Sequence, residues 1–370
     1  MVANAQNCRK FVLVGAKADG GVIKQHGGVL TLSNGLVDYA SRTGLEIEVI
    51  NTLRSGFDHQ PLVERIRSGI GRALVLFKLL LNDKYDGVIV FSGAGWSFYE
   101  RVFLAFICKL LRAPCAFFIV DGWFLNVRGK TILIRIWIGL LLKIPCKLAA
   151  SGSNWVSLFS ELGVRESKII TIRYWLPNQF RVVETPKILS ASEPARFVFV
   201  GWMIKEKGID EILAALEILL KKYQFSFTFI GGGTLLDYVR ETVSFSVWEA
   251  NVSVLGWQSP EQIEQALSSA HVFVLPSYAE GFPMSLIEAM SKGLPAICTD
   301  VGGISDSLHD GINGFLIPPK NVDALTKAME FYICNHDIVS EHSSATLEIV
   351  RENHDADLNC SSLFNIFPGG

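Results

Sequence analysis

Residues 271–300 read HVFVLPSYAEGFPMSLIEAMSKGLPAICTD. An apolar run ends at Pro276, Gly281 and Pro283 open a helix that Leu286, Ile287 and Met290 continue, and Gly293 closes it before a second apolar run. Continuous apolar strands flanking a helix predict a parallel strand–helix–strand unit covered on both faces. The helix then starts at the carboxyl end of its strand. Backbone amides around Phe282, Met284 and Ser285, added to the positive end of the helix dipole that Pro283 opens, make an anion site suited to a diphosphate, and Gly281 lets a ligand approach the backbone. Glu280 precedes the helix and Glu288 lies within it, about 7 to 8 Å beyond Pro283 along the axis. Carboxylates so separated can each accept hydrogen bonds from a different hydroxyl-bearing ring. The plain alternative is a surface helix whose dipole favours acids near its start.

The same pattern extends in both directions. FVLVGA, LEIEVIN, GVIVFSG and CAFFIVD recur before the midpoint, and RFVFVG, FSFTFIG and NVSVLG after it, each followed by a helix-length segment. A chain of 370 residues is long enough for about two domains. The fold class is α/β, with an N-terminal domain over 1–180, a proline-bearing linker over 181–194, a C-terminal domain over 195–345 and a tail over 346–370. In such sheets ligands gather at the carboxyl ends of strands, so the residues that end each run deserve first inspection.

RFVFVG leads through a loop to Lys207 and Gly208, just before an amphipathic helix. A lysine there opposes the helix dipole unless an anion is bound, which makes Lys207 a phosphate candidate; an ordinary surface lysine is the alternative. After FSFTFI, the turn Gly231, Gly232, Gly233 permits close backbone approach to a base or phosphate, although a glycine turn alone is weak support.

Residues 197–329 resemble the family 4 (group 1) retaining glycosyltransferases, most specifically through EGFPMSLIE, which resembles that family's Glu-x7-Glu motif, and AMSKGLPAICTDVGGISDSLHDGINGFLIPP after it. The resemblance implies a GT-B fold, two facing Rossmann-like doubly wound domains with mainly parallel sheets. It also implies transfer of a hexose-type sugar from a nucleotide diphosphate sugar with retention of configuration and without a metal or cofactor. Glu280 then contacts the transferred sugar, Glu288 the ribose, and Lys207 the diphosphate. Trp202 stands where the family's loop usually carries arginine.

The N-terminal half matches more loosely, as an acceptor domain would. Gly27 and Gly28 resemble the family's Gly-Gly turn near the donor phosphates, and a simple strand-to-helix turn explains them as well. Asp121 ends CAFFIVD where many members have a histidine approaching the sugar; an Asp-Gly turn without chemical role is the equal alternative. The implied acceptor is a lipid-linked or other glycan precursor.

Composition limits the alternatives. The net charge of -2 gives no reason to expect nucleic acid. Seven scattered cysteines without a CxxC pair indicate neither a disulfide framework nor zinc, and a cytoplasmic setting is expected. FVLVGA is too short for a signal-peptide core, and charges such as Arg135 and Lys143 interrupt the longer apolar runs. The apolar share of 49% concentrates in RALVLFKLLL, YERVFLAFICKLLRAP and VRGKTILIRIWIGLLLKIPCKL, all edged by Lys or Arg, as either a peripheral membrane surface or packing helices. VGAKADGG lacks the GxGxxG spacing of a nicotinamide dehydrogenase. A nucleotide-sugar epimerase of similar fold and a catalytically silent nucleotide-sugar-binding protein remain as other readings.

Overall fold

The computed structural model describes residues 9–17, 28–53, 61–177, 179–244, 248 and 250–368. The chain divides into two compact units: Met1–Trp175 joined by Ala356–Gly370, and Leu176–Asp355.

Unit 1 alternates strand and helix from β1 (Lys10–Gly15) through α1 (Gly28–Thr43), β2 (Glu46–Asn51), α2 (Leu62–Asn82), β3 (Gly87–Ser92), α3 (Trp96–Leu110), β4 (Cys115–Ile119), α4 (Ile132–Leu141), β5 (Lys147–Ala150) and α5 (Ser153–Glu161) to β6 (Ile169–Thr171). The strands form one parallel sheet in the order β2-β1-β3-β4-β5-β6. Successive side chains alternate between its faces, and both faces are covered, so β1, β3 and β4 read as unbroken apolar runs. Val12, Val88 and Phe117 point to the face on which α2, α3, α4 and α5 share one core with them.

Where α2 meets α3, Glu100 is buried and accepts bonds from Arg72 Nε and Arg101 Nη1, each at 2.6 Å. Glu100→Leu removes the acceptor that two guanidiniums share. It is expected to lower the unfolding free energy by about 3 kcal/mol, read from urea denaturation.

Unit 2 follows the same grammar: β7 (Ala195–Val200), α6 (Ile209–Leu219), β8 (Phe225–Ile230), α7 (Leu236–Ser244), β9 (Val252–Gly256), α8 (Pro260–Ser269), β10 (Val272–Leu275), α9 (Met284–Ser291), β11 (Ala296–Thr299), β12 (Gly314–Ile317), α10 (Val322–Cys334) and α11 (Asp337–Asn353). Its parallel order, β12-β11-β10-β7-β8-β9, is that of the dinucleotide-binding Rossmann sheet. The chain reverses direction between β7 and β10, and at such a switch point the loops leaving the two strands part to leave a crevice.

The last helix, α12 (Ala356–Asn365), returns to unit 1. There Phe364 packs on Phe11 with ring centroids 4.7 Å apart, and Asp357 pairs with Arg42 at 2.7 Å. The division therefore falls at Trp175/Leu176 and Asp355/Ala356 rather than at the ends of 1–180 and 195–345. Residues 181–187 lie on unit 2, because extended proline-bearing backbone finds partners there: Val183 N donates to Ser291 O, Lys187 N to Ser343 Oγ, and Lys292 Nζ to Arg181 O. Residues 346–353 also stay with unit 2 as the end of α11, which packs on α9.

Candidate functional site

The crevice between β7 and β10 collects the residues that the sequence singles out in unit 2. After β7 the chain makes one short turn, Lys205–Lys207, and Gly208 takes a left-handed conformation with φ of 72°. A Cβ on Gly208 would stand 2.2 Å from the carbonyl oxygen of Pro276, so only glycine lets this turn lie against the end of β10. Tyr278 N donates to Glu206 O at 2.8 Å, fastening the two loops.

That contact brings Lys207 Nζ to 2.5 Å from Glu280 Oε1. Ser277 Oγ donates to the same carboxylate oxygen at 2.7 Å, and Thr299 Oγ1 at the end of β11 donates to Ser277 O at 2.5 Å. Glu280 is only 8% exposed, so its charge is held by partners rather than by water. Ser277 and Thr299 were not among the sequence candidates, although each ends or follows an apolar strand run, the position that the strand-end rule marks.

Pro283 caps α9 without a side-chain bond, and the amides of Met284 and Ser285 have no acceptor among the described residues. They present the positive end of the helix dipole. Phe282 does not line an opening: it is buried, its ring 5.2 Å from His354. The loop after β11 closes over this turn, with Gly303 N donating to Gly281 O at 2.9 Å. A Cβ on Gly302 would meet Glu280 O at 2.1 Å. Gly302, quoted within the motif but not singled out, thus sets how closely two loops meet.

Glu288, on the next turns of α9, is half-buried and has no polar partner among the described residues. Burial pushes its carboxyl up to about 7. The proton is held more tightly in the folded chain than at the ordinary carboxyl value. This group therefore contributes stability in acid that is lost as pH rises from 4.5 through about 7.

Beside the crevice, the glycine turn after β8 bonds to the loop after β7, as Gly232 O accepts from Met203 N at 2.8 Å. Gly231 N donates to Gly256 O, and the β8–β9 ladder slips by one residue at Ile230. A Cβ on Gly232 would lie 2.3 Å from Trp257 Nε1. Trp202 packs edge-on against Trp257, centroids 4.8 Å apart, so an indole pair occupies the position where the family resemblance expects a guanidinium.

In unit 1, Asp121 follows β4 and its Oδ2 accepts the amide of Ala94 at 3.0 Å, tying the loop after β4 to the loop after β3. The carboxylate thus has a structural duty. Gly28 is the exposed first residue of α1; Gly27 lies outside the described residues.

Residues 183–345 match the family model for glycosyl transferases group 1. The C-terminal unit belongs to the group 1 glycosyltransferases. The amylovoran biosynthesis glycosyltransferase AmsK of Erwinia amylovora is 30% identical over 180 residues, covering 46% of this chain and 43% of that protein. An Escherichia coli protein named UDP-Gal:alpha-D-GlcNAc-diphosphoundecaprenol alpha-1,3-galactosyltransferase is 25% identical over 270 residues, covering 69% of this chain and 68% of its own. The chain spans 33% to 43% of the length of AmsK and three other curated glycosyltransferase relatives, less than half of each. The solved sucrose-phosphate synthase of Thermosynechococcus elongatus shares the fold, with a TM-score of 0.77 over 97% of this chain and 98% of that one at 15% identity. The chain therefore has the GT-B fold of the group 1 glycosyltransferases, built from two doubly wound parallel sheets.

Proposed function

We propose that this chain is a retaining, metal-independent glycosyltransferase that moves a hexose-type sugar from a nucleotide diphosphate sugar to a glycan-precursor acceptor. The observation that carries the reading is the Lys207–Glu280 pair at the β7/β10 switch point, beside the open amides of α9. An ammonium has three protons. With one engaged by Glu280, the others are available to a diphosphate, so one cation links the carboxylate that orients the sugar to the leaving group.

In this reading the bond between the anomeric carbon and the diphosphate oxygen breaks as the acceptor oxygen bonds on the same face. The acceptor's proton passes to the departing diphosphate. Lys207 and the amides of Met284 and Ser285 meet the charge that develops there, so the reaction as proposed draws on no metal. Glu280 holds the sugar through its hydroxyls, and Glu288 the ribose. The acceptor is assigned to unit 1. Asp121 is kept for orienting the β3 and β4 loops rather than for chemistry, because its carboxylate already serves the Ala94 amide. The names of the relatives support a polysaccharide or lipid-linked acceptor, since one includes a diphosphoundecaprenol-linked sugar and another amylovoran biosynthesis.

A thermal-shift panel of UDP-, GDP- and ADP-sugars, followed by product analysis with the stabilising donor, tests the proposal. Stabilisation by one donor and a new glycosidic bond of unchanged anomeric configuration are expected. A free epimerised nucleotide sugar, or binding without turnover, would refute it.

Glu288 adds a pH signature. Ribose hydroxyls donate to the ionised carboxylate, so binding must displace the proton that burial retains. Donor affinity is expected to weaken as pH falls below about 7, by up to about tenfold per unit. Calorimetry of Glu288→Gln should give weaker binding with no such slope.

A further inference from the structure

Three helices of unit 1 carry a second apolar face. On α3, Trp96, Tyr99, Phe103, Phe106 and Leu110 are exposed and follow one another at intervals of three and four, one stripe along the helix. On α2, Ile66, Ile70, Leu74, Phe77 and Leu81 repeat the interval, and on α4 Leu133, Ile136, Trp137 and Leu140 do so. Leu133 is 75% exposed and Phe103 and Trp137 are each 54% exposed, while Ala73, Val102 and Ile138 on the same helices are in the core. All three helices cover one sheet face, and α2 meets α3 at the Arg72–Glu100 bond. The stripes of α2 and α3 adjoin, and right-handed crossovers place α4 next in order on the same sheet face. Single exposed apolar residues are ordinary, but soluble monomers rarely leave a contiguous apolar patch above a few hundred Å² uncovered.

Charge identifies the occupant. Arg67 and Lys78 each follow a stripe residue by one position, and Lys109 and Lys130 lie at helix ends. All four are exposed and none pairs with a carboxylate among the described residues. No Asp or Glu occurs between 122 and 160. A second copy would set these cations against one another, whereas anionic headgroups neutralise them. The amphipathic rings of Trp96, Tyr99 and Trp137 suit the same boundary.

We propose that the outer face of α2, α3 and α4 docks on an anionic bilayer, with its apolar stripes entering the headgroup–acyl boundary and its cations on the lipid phosphates. Among the described residues no helix is long and apolar enough to cross a membrane, and the proposed contact lies within the interface. The inference is independent of the transferase reading, because none of its residues belongs to the β7/β10 crevice.

The test is flotation of the full chain with phosphatidylglycerol–phosphatidylcholine vesicles and with phosphatidylcholine alone, alongside nucleoside diphosphate affinity. The chain should float with the anionic vesicles, less so at high salt, with its tryptophan emission shifted to the blue. Phe103→Glu with Leu133→Glu should weaken partitioning by about a hundredfold and leave nucleotide affinity and the urea midpoint unchanged. Lys78→Glu with Lys130→Glu should weaken it by about tenfold or more. Equal binding to both vesicle types, no binding, or a soluble dimer that Phe103→Glu dissolves would overturn the proposal.

Discussion

Glu280→Gln is expected to lower the rate of sugar transfer by about 100- to 1,000-fold, the loss that follows removal of one preorganised electrostatic partner of a transition state. The buried carboxylate bonds to Lys207 and Ser277 on one oxygen, and the proposed reaction uses the other for the sugar. Glutamine keeps the shape and loses the charge. Affinity for the bare nucleoside diphosphate should hold or rise, since Lys207 no longer shares its charge with Glu280. Steady-state kinetics set beside calorimetry separates the two effects. A fall in transfer below about tenfold would remove Glu280 from contact with the sugar.

Lys207→Met is expected to act on binding and folding together. Losing a charge-assisted bond to the diphosphate should weaken nucleotide affinity by about 10- to 100-fold. The same change strands the Glu280 carboxylate, which is 8% exposed, without its cation, and unfolding free energy should fall by about 3 kcal/mol. The Lys207→Met/Glu280→Gln double variant distinguishes the causes: its urea midpoint should recover while its nucleotide affinity stays low. Recovery of both would mean that Lys207 serves the fold alone.

The sequence made the long apolar strands and the order of the second sheet's elements readable, because β7, β8 and β10 are buried on both faces and alternate with amphipathic helices. It did not reveal β5, β6 and β12, which have four, three and four residues. Periodicity does not separate such short runs from loops; β10 and β11, also of four residues each, were legible because Gly281, Pro283 and Gly293 frame the helix between them. Among site residues, Glu280, Lys207 and the start of α9 were legible from their positions next to a strand end or a helix start. Their direct pairing was not, since it depends on Gly208 abutting the carbonyl of Pro276, a contact between segments that are distant in the chain. Ser277 and Thr299 were hidden for the same reason. Spacing also could not show that Phe282 turns inward to His354, because a residue beside an anion-binding turn can face either way.

The return of α12 to unit 1 makes unit 2 an insert within the other unit's chain. Its entry and exit lie side by side, with Leu176 N donating to His354 O at 2.9 Å. A segment whose ends already touch can be closed on itself or lifted out with a minimal linker, because joining adjacent ends costs little loop entropy. The route of the backbone thus offers unit 2 as a separable cassette, open to circular permutation and to exchange between chains of this fold.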